Sequence, residues 1–213
     1  GDHGILTVRG ARAAACLQTV AAADLTALAV GQVRRTALLD GDAGLIDDVL
    51  VLRNPQDAWG QDQFTLVTSP GRVHAVARWF DAHSDGFACF DDDDVYAKVP
   101  GPVVVARQNA GGFGALGRTA LALVGPDAAK ALAKVLPGAG DLPADTAREI
   151  PWKEGRVTAL RTTLWGVAPA FLLLAEEASA RGLWQDALAA VKAAGGGLLG
   201  VDARTKLRKA AGS

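Results

Sequence analysis

Leu6-Thr-Val-Arg-Gly10-Ala-Arg-Ala13-Ala14-Ala-Cys16-Leu17-Gln-Thr-Val20 recurs as Leu121-Ala-Leu-Val-Gly125-Pro-Asp-Ala128-Ala129-Lys-Ala-Leu132-Ala-Lys-Val135. Leu6 coincides with Leu121, Gly10 with Gly125, Ala13 and Ala14 with Ala128 and Ala129, Leu17 with Leu132, and Val20 with Val135. Each copy reads as an apolar strand, a glycine turn and a short helix. A second matched pair follows: Phe64 to Val67 leads into a helical stretch at Arg72 to Phe80, and Phe171 to Leu174 into one at Ser179 to Ala194. Each of these helices carries a tryptophan, Trp79 or Trp184. Two copies are too few for a solenoid, which needs at least three stacked units, so the repeat is expected to be a duplication inside one globular unit.

Working outward, Val33 to Leu39 and Leu45 to Arg53 flank Asp40-Gly41-Asp42-Ala43-Gly44, a loop of residues that tolerate positive φ. This predicts a β-hairpin. Further strands are expected at Val103 to Arg107, Thr119 to Val124, Ala147 to Trp152 and Arg156 to Leu164. Helices are expected over 12–20, 71–82, 126–136, 178–194 and 202–210, with no regular βαβ alternation. The predicted class is α+β, with antiparallel sheets and packed helices in two similar halves, 1–110 and 111–213, and the length allows one large domain or two interlocked small ones.

Composition narrows the function classes. With 213 residues, 50% hydrophobic and 21% charged, the chain can bury a core, which excludes disorder and fibre. Its 22 basic and 23 acidic residues give a net charge of -1, which argues against a nucleic-acid partner. Cys16 and Cys89 cannot build a disulfide framework, no Cys/His spacing points to zinc, and no metal is expected. The longest apolar stretch, around Phe171 to Ala175, is far short of the ~20 residues that span a bilayer, and no basic region leads into an apolar run at the N-terminus. A soluble cytoplasmic protein with no membrane partner is expected. With no methionine in the sequence, the native start is expected to lie outside it and Gly1 is expected to be a cloning remnant.

Several chemical motifs have plainer readings. Gly112-Phe-Gly114-Ala-Leu-Gly117 fits a dinucleotide pattern, but Arg118 to Val124 reads as a strand, so no helix N-terminus faces a phosphate and a loop between strands is expected. Asp91 to Asp94 lacks the spaced ligands and turn glycine of a calcium loop and reads as a solvated acidic turn. His3, His74 and His83 are too scattered for a metal or hydrolase site and read as structural histidines. Cys16, among alanines on a helix, reads as a buried inert thiol, and the acidic neighbours of Cys89 disfavour a thiolate.

Asp47-Asp48 stands apart. It interrupts Leu45-Ile46-Asp47-Asp48-Val49-Leu50-Val51-Leu52, a strand otherwise apolar on both faces. Successive side chains point to opposite faces, so at least one carboxylate is directed into apolar surroundings and needs donors, a cation or a ligand. Two readings stay open: a structural aspartate satisfied by backbone N–H groups, or a functional one in a pocket.

The chain resembles the folate-binding part of the glycine-cleavage T-protein (aminomethyltransferase) superfamily over nearly its whole length. Leu6 to Leu25 resembles that family's opening strand, helix and turn, with Ala23 in place of an asparagine. Leu38 to Val51 resembles its most characteristic motif, two glycines, two apolar residues and Asp-Asp. Val124-Gly125-Pro126-Asp127-Ala128 resembles its Gly-Pro-x-Ala turn, and Gly200-Val201-Asp202-Ala203-Arg204-Thr205-Lys206-Leu207-Arg208 its arginine-bearing C-terminal helix.

The resemblance implies a folate-binding unit of two similar halves that exchange strands, with tetrahydrofolate in a central pocket. It implies that Asp48 faces the nitrogens that carry the one-carbon unit, where a carboxylate can orient or deprotonate an amine. It further implies backbone contacts to the pterin from Leu66, Val67 and Thr68, a fixed multi-donor cation from Arg204, and pocket positions at Arg35, where the family has tyrosine, and Trp165. Two departures bear on activity. Transferases of the family carry Arg-Thr-Gly-Tyr-Thr-Gly-Glu, whose glutamate grips the pterin's amino-pyrimidine edge, whereas this chain has Arg161-Thr162-Thr163-Leu164-Trp165-Gly166-Val167. An unpaired donor there costs about 1–3 kcal/mol, or roughly 5–150-fold in affinity. The family's C-terminal barrel, which helps exclude water, has no counterpart in these residues. The expected function is thus tetrahydrofolate binding in one-carbon metabolism. The alternative is a non-catalytic subunit resembling the small T-protein-like subunit of sarcosine oxidase, with a protein partner supplying the barrel or the one-carbon donor.

Overall fold

A computed structural model describes residues 3–84, 93–94, 96, 103–108, 117–164 and 167–211. Cys89, Asp91, Asp92, Gly112 to Leu116 and Trp165 lie outside the described residues. The chain divides into two units at Gly117/Arg118.

The first unit contains β1 (Ile5–Gly10), α1 (Ala13–Val20), β2 (Val33–Leu39), β3 (Leu45–Asn54), β4 (Asp62–Val67), α2 (Val73–Ser84) and β5 (Val104–Arg107). Its five strands form one antiparallel sheet in the order β2-β3-β4-β1-β5. Alternation along the strands sends Leu6, Val8, Val49, Val51, Phe64 and Leu66 to one face, where they pack with Leu17 of α1 and Val76 and Phe80 of α2. In α1 the buried residues Ala13, Cys16, Leu17 and Val20 fall at i, i+3, i+4 and i+7, the apolar stripe of a surface helix. Burying Leu17 completely contributes about 1.5–3 kcal/mol.

The second unit contains β6 (Arg118–Val124), α3 (Ala128–Val135), β7 (Thr146–Trp152), β8 (Gly155–Leu164), β9 (Val167–Glu176), α4 (Glu177–Ala193) and α5 (Val201–Ala211). Its antiparallel sheet has the order β6-β9-β8-β7. Leu123, Leu132, Leu136, Trp152, Phe171, Leu173 and Leu183 make its core. Apart from the fifth strand, the plan repeats that of the first unit. Gly10 and Gly125, both at positive φ (150° and 115°), turn β1 into α1 and β6 into α3. Nothing lies within 4 Å of a Cβ built on Gly125, so backbone angle rather than space favours glycine there.

Antiparallel α+β architecture and the hairpin expected from Val33 to Arg53 stand as read from sequence, with β3 running one residue further to Asn54. Two details differ. Strand exchange between the halves is not seen among the described residues: every described strand of each sheet comes from one half. β9 begins four residues before the expected Phe171, and its Pro169 sits where the ladder with β8 shifts register between Thr162 and Leu164. A proline at an irregularity does not have to supply a ladder N–H, so the strand continues through it.

Candidate functional site

The Asp47-Asp48 pair follows a tightly specified turn. Asp40 Oδ1 accepts from the backbone N–H groups of Asp42 (3.1 Å) and Gly44 (2.6 Å), and Ala43 adopts φ 60°. The β2/β3 register shifts between Leu38 and Leu39, leaving Ile46 as the extra residue. A bulge of this kind re-aims the side chains beyond it, here the two aspartates.

They separate to opposite faces. Asp47 is the buried one, 5% exposed. Its Oδ1 accepts from the Asp48 N–H at 2.9 Å and its Oδ2 from the Ser69 N–H at 2.8 Å. The carboxylate therefore ties β3 to the turn between β4 and α2, with backbone donors offsetting its desolvation. Asp48 is the outward one of the pair, its side chain 33% exposed. Asp48 sits across from Ala37, and Arg35 lies across from Leu50, so Arg35 and Asp48 are diagonal neighbours on one face of the hairpin. Arg35 Nε donates to Oδ1 and Oδ2, each at 2.9 Å, and its Nη2 donates to Oδ2. The hydrogen bonds to Asp48 raise the Arg35 guanidinium above its ordinary pKa, and burial opposes them.

Around this pair the other expected residues take different parts. Val67 is opposite Leu50 and so shares the Asp48 face, whereas Leu66 points into the core beneath the helices. Thr68 is buried: its N–H donates to Gly4 O (2.9 Å), its carbonyl contacts His3 Nδ1 (2.9 Å), and its hydroxyl donates to Ser69 O (3.3 Å). A Cβ on Gly4 would collide with Val73 and Thr68, so the chain's approach to this turn favours glycine. In the second unit, Arg204 is half-buried on α5 and lines a cavity of about 520 Å³ walled by β6, α3, α4 and residues 195–200. Val167 opens β9, half-buried, and its side chain offers no acceptor. Cys16 is buried and its thiol is pushed up to about 11 by that burial, in keeping with an inert role. Among the described residues no group of three or more His, Cys, Asp or Glu could hold a metal ion, and no helix is long and apolar enough to cross a membrane.

Sequence reading missed two elements of this site. The partnership of Arg35 with Asp48 depends on the bulge at Leu38/Leu39, and the anchoring of Asp47 depends on Ser69, 22 positions away. Arg35 was legible in principle, since a hairpin turn fixes which residues share a face; Ser69 carried no local signal.

This duplicated α+β arrangement with Asp-Asp on the first hairpin matches the model of the GCVT N-terminal domain over residues 3–212. The chain belongs to the GCVT N-terminal domain family. Among curated relatives of this GCVT domain, the aminomethyltransferase of Chlorobaculum tepidum is 29% identical over 203 residues, covering 94% of this chain and 49% of the relative. That of Chlorobaculum parvum is 28% identical with the same coverage. The GCVT domain thus spans about half the length of these relatives. Among solved structures, the glycine cleavage system aminomethyltransferase T from Bartonella henselae superimposes with a TM-score of 0.75 at 25% identity, over 100% of this chain and 49% of that one. A chain of the heterotetrameric sarcosine oxidase from Corynebacterium sp. U-96 shares the fold at a TM-score of 0.52 and 16% identity, over 98% of this chain and 82% of that one.

Proposed function

We propose that this aminomethyltransferase-like chain is a tetrahydrofolate-binding module of one-carbon metabolism that holds its ligand without efficient transfer. The observation that carries the reading is the Arg35–Asp48 pair. Both oxygens of Asp48 accept from one guanidinium, so for Asp48 to take a proton from an amine the pair has to open. The carboxylate keeps lone pairs able to accept an N–H of a ligand, which suits recognition. Bound tetrahydrofolate would supply the amine that carries the one-carbon unit.

The remaining residues fit the group in part. Arg204, half-buried on α5, offers a planar, multi-donor cation. Val67 shares the Asp48 face, and the backbone of Leu66, Val67 and Thr68 is what the family resemblance sets beside the ligand. Val167 is the poor fit: it gives the amino-pyrimidine edge no acceptor, which favours weak binding. A second reading, a non-catalytic subunit of a larger assembly, draws support from the fold shared with a chain of the heterotetrameric sarcosine oxidase.

Calorimetric titration with tetrahydrofolate tests the first reading. Binding weakened by both Asp48→Asn and Arg204→Ala is expected. Loss of stability with unchanged affinity in both variants would turn the assignment to the second reading.

A further inference from the structure

Arg35 and Asp48 form an isolated pair of opposite charges on their face of the first sheet. The register places every other charged residue of β2, β3 and β4, namely Arg34, Asp47, Arg53 and Asp62, on the opposite face. Arg9 of β1 shares the Asp48 face but stands opposite Gln63, four residues down β4 from Val67. Directly across from Arg35 is the buried Leu50, and directly across from Asp48 is the half-buried Ala37. The pair itself is open to solvent, its two side chains 58% and 33% exposed. The charges are therefore the part of this face that a solute reaches.

Neither partner spends its full hydrogen-bonding capacity on the other. A guanidinium has five N–H donors, and Arg35 uses Nε and Nη2 on Asp48, so among the described residues Nη1 donates to nothing. On Asp48, Oδ1 accepts only from Nε, at 2.9 Å, which leaves it lone-pair capacity. The pair is thus neutral as a whole, with spare donors at one end and spare acceptors at the other. A simple anion drawn to Arg35 meets the Asp48 carboxylate, and a simple cation drawn to Asp48 meets the guanidinium. No third charge beside the pair offsets either repulsion. A molecule carrying both charges a few bonds apart satisfies the two ends together. Admitting it disturbs the fold little, because an ion pair this exposed contributes little to stability.

We infer that Arg35 and Asp48 bind a small zwitterionic amino acid, its carboxylate on the unused edge of the guanidinium and its ammonium on the carboxylate. Guanidinium and carboxylate groups match in planar, multi-donor geometry, so Arg35 fixes the orientation of the ligand. Asp48 then selects the protonated amine. The methyl group of Ala37, across from Asp48, favours a short aliphatic skeleton between the two charges. The inference rests on the reading of this pair as a recognition site and names the class of molecule that the pair accepts.

Three probes of similar size separate the charges: L-alanine, propionate, which lacks the ammonium, and ethylamine, which lacks the carboxylate. Each is titrated at neutral pH and constant ionic strength while heteronuclear NMR follows the Arg35 Nε–H and the Ala37 amide. Expected is a saturable shift with L-alanine, half complete at about millimolar concentration, and binding about tenfold weaker or less for the other two. Asp48→Asn and Arg35→Gln, followed at the Ala37 amide, are each expected to weaken L-alanine binding about tenfold. Three results would overturn the inference: no saturable shift up to about 0.1 M L-alanine, propionate or ethylamine binding as tightly as L-alanine, or unchanged affinity in both variants. The probe series in the parent protein stands even if a variant fails to fold. No folate is present in these titrations, so L-alanine binding without tetrahydrofolate binding, or the reverse, shows which of the two readings has failed.

Discussion

The units Asp2–Gly117 and Arg118–Ser213 begin alike, strand, positive-φ glycine, helix, and end differently. The first closes its sheet with β5 and places two aspartates on the hairpin β2–β3; the second leaves β6 at an edge, and the inward positions of β8 carry Val157 and Ala159, both in its core. A core face tolerates Val157 without further arrangement, whereas Asp47 requires two backbone donors at 2.9 and 2.8 Å. The shared plan is thus a matter of apolar spacing, and the difference lies in where polar groups have been fitted into it.

The sharpest way to break the equivalence is at its matched leucines. Leu17→Ala and Leu132→Ala, both at fully buried positions, are each expected to cost about 2–5 kcal/mol in chemical denaturation. A loss below 1 kcal/mol at either one would mean that the helices do not play equivalent parts. Next in size, Asp47→Ala leaves the Asp48 and Ser69 N–H groups without an acceptor, a loss of about 2–4 kcal/mol. Asp47→Asn, which keeps one acceptor oxygen, is expected to lose less. Asp48→Asn should change stability by under about 1 kcal/mol, because an ion pair this exposed contributes little.

How much of this was legible in the sequence follows from the range of each interaction. The hairpin at Asp40 to Gly44 and the stripes of α1 and α3 are local patterns, visible in consecutive residues. The division of labour between Asp47 and Asp48 was not, because alternation says that the two face opposite ways without saying which way is in. That is decided by the bulge at Leu38/Leu39 and by Ser69. That β6 pairs with β9 alone among the described residues was likewise hidden, since Thr119 to Val124 reads the same whether one neighbour or two will flank it.

The smallest effect concerns pH. His83 is buried in the first unit, edge-on to Trp79 with ring centroids 4.3 Å apart, and burial lowers its pKa. Its neutral form is favoured in the folded state, so the unfolded chain binds the proton more readily. The contribution is complete above the unfolded pKa of about 6.5 and declines as pH falls below it. Between pH 7 and pH 5 the melting temperature is expected to fall less in His83→Gln than in the parent, by roughly 2 °C or under. An identical fall in both would assign the acid sensitivity to other groups.

The most direct measurement is calorimetric titration with tetrahydrofolate of the parent, Asp47→Asn and Asp48→Asn, each first shown to be folded. The account predicts binding by the parent that weakens about tenfold in Asp48→Asn while Asp47→Asn, corrected for its stability, changes little. Equal affinity in the parent and Asp48→Asn, or no heat from the parent up to millimolar ligand, would contradict it.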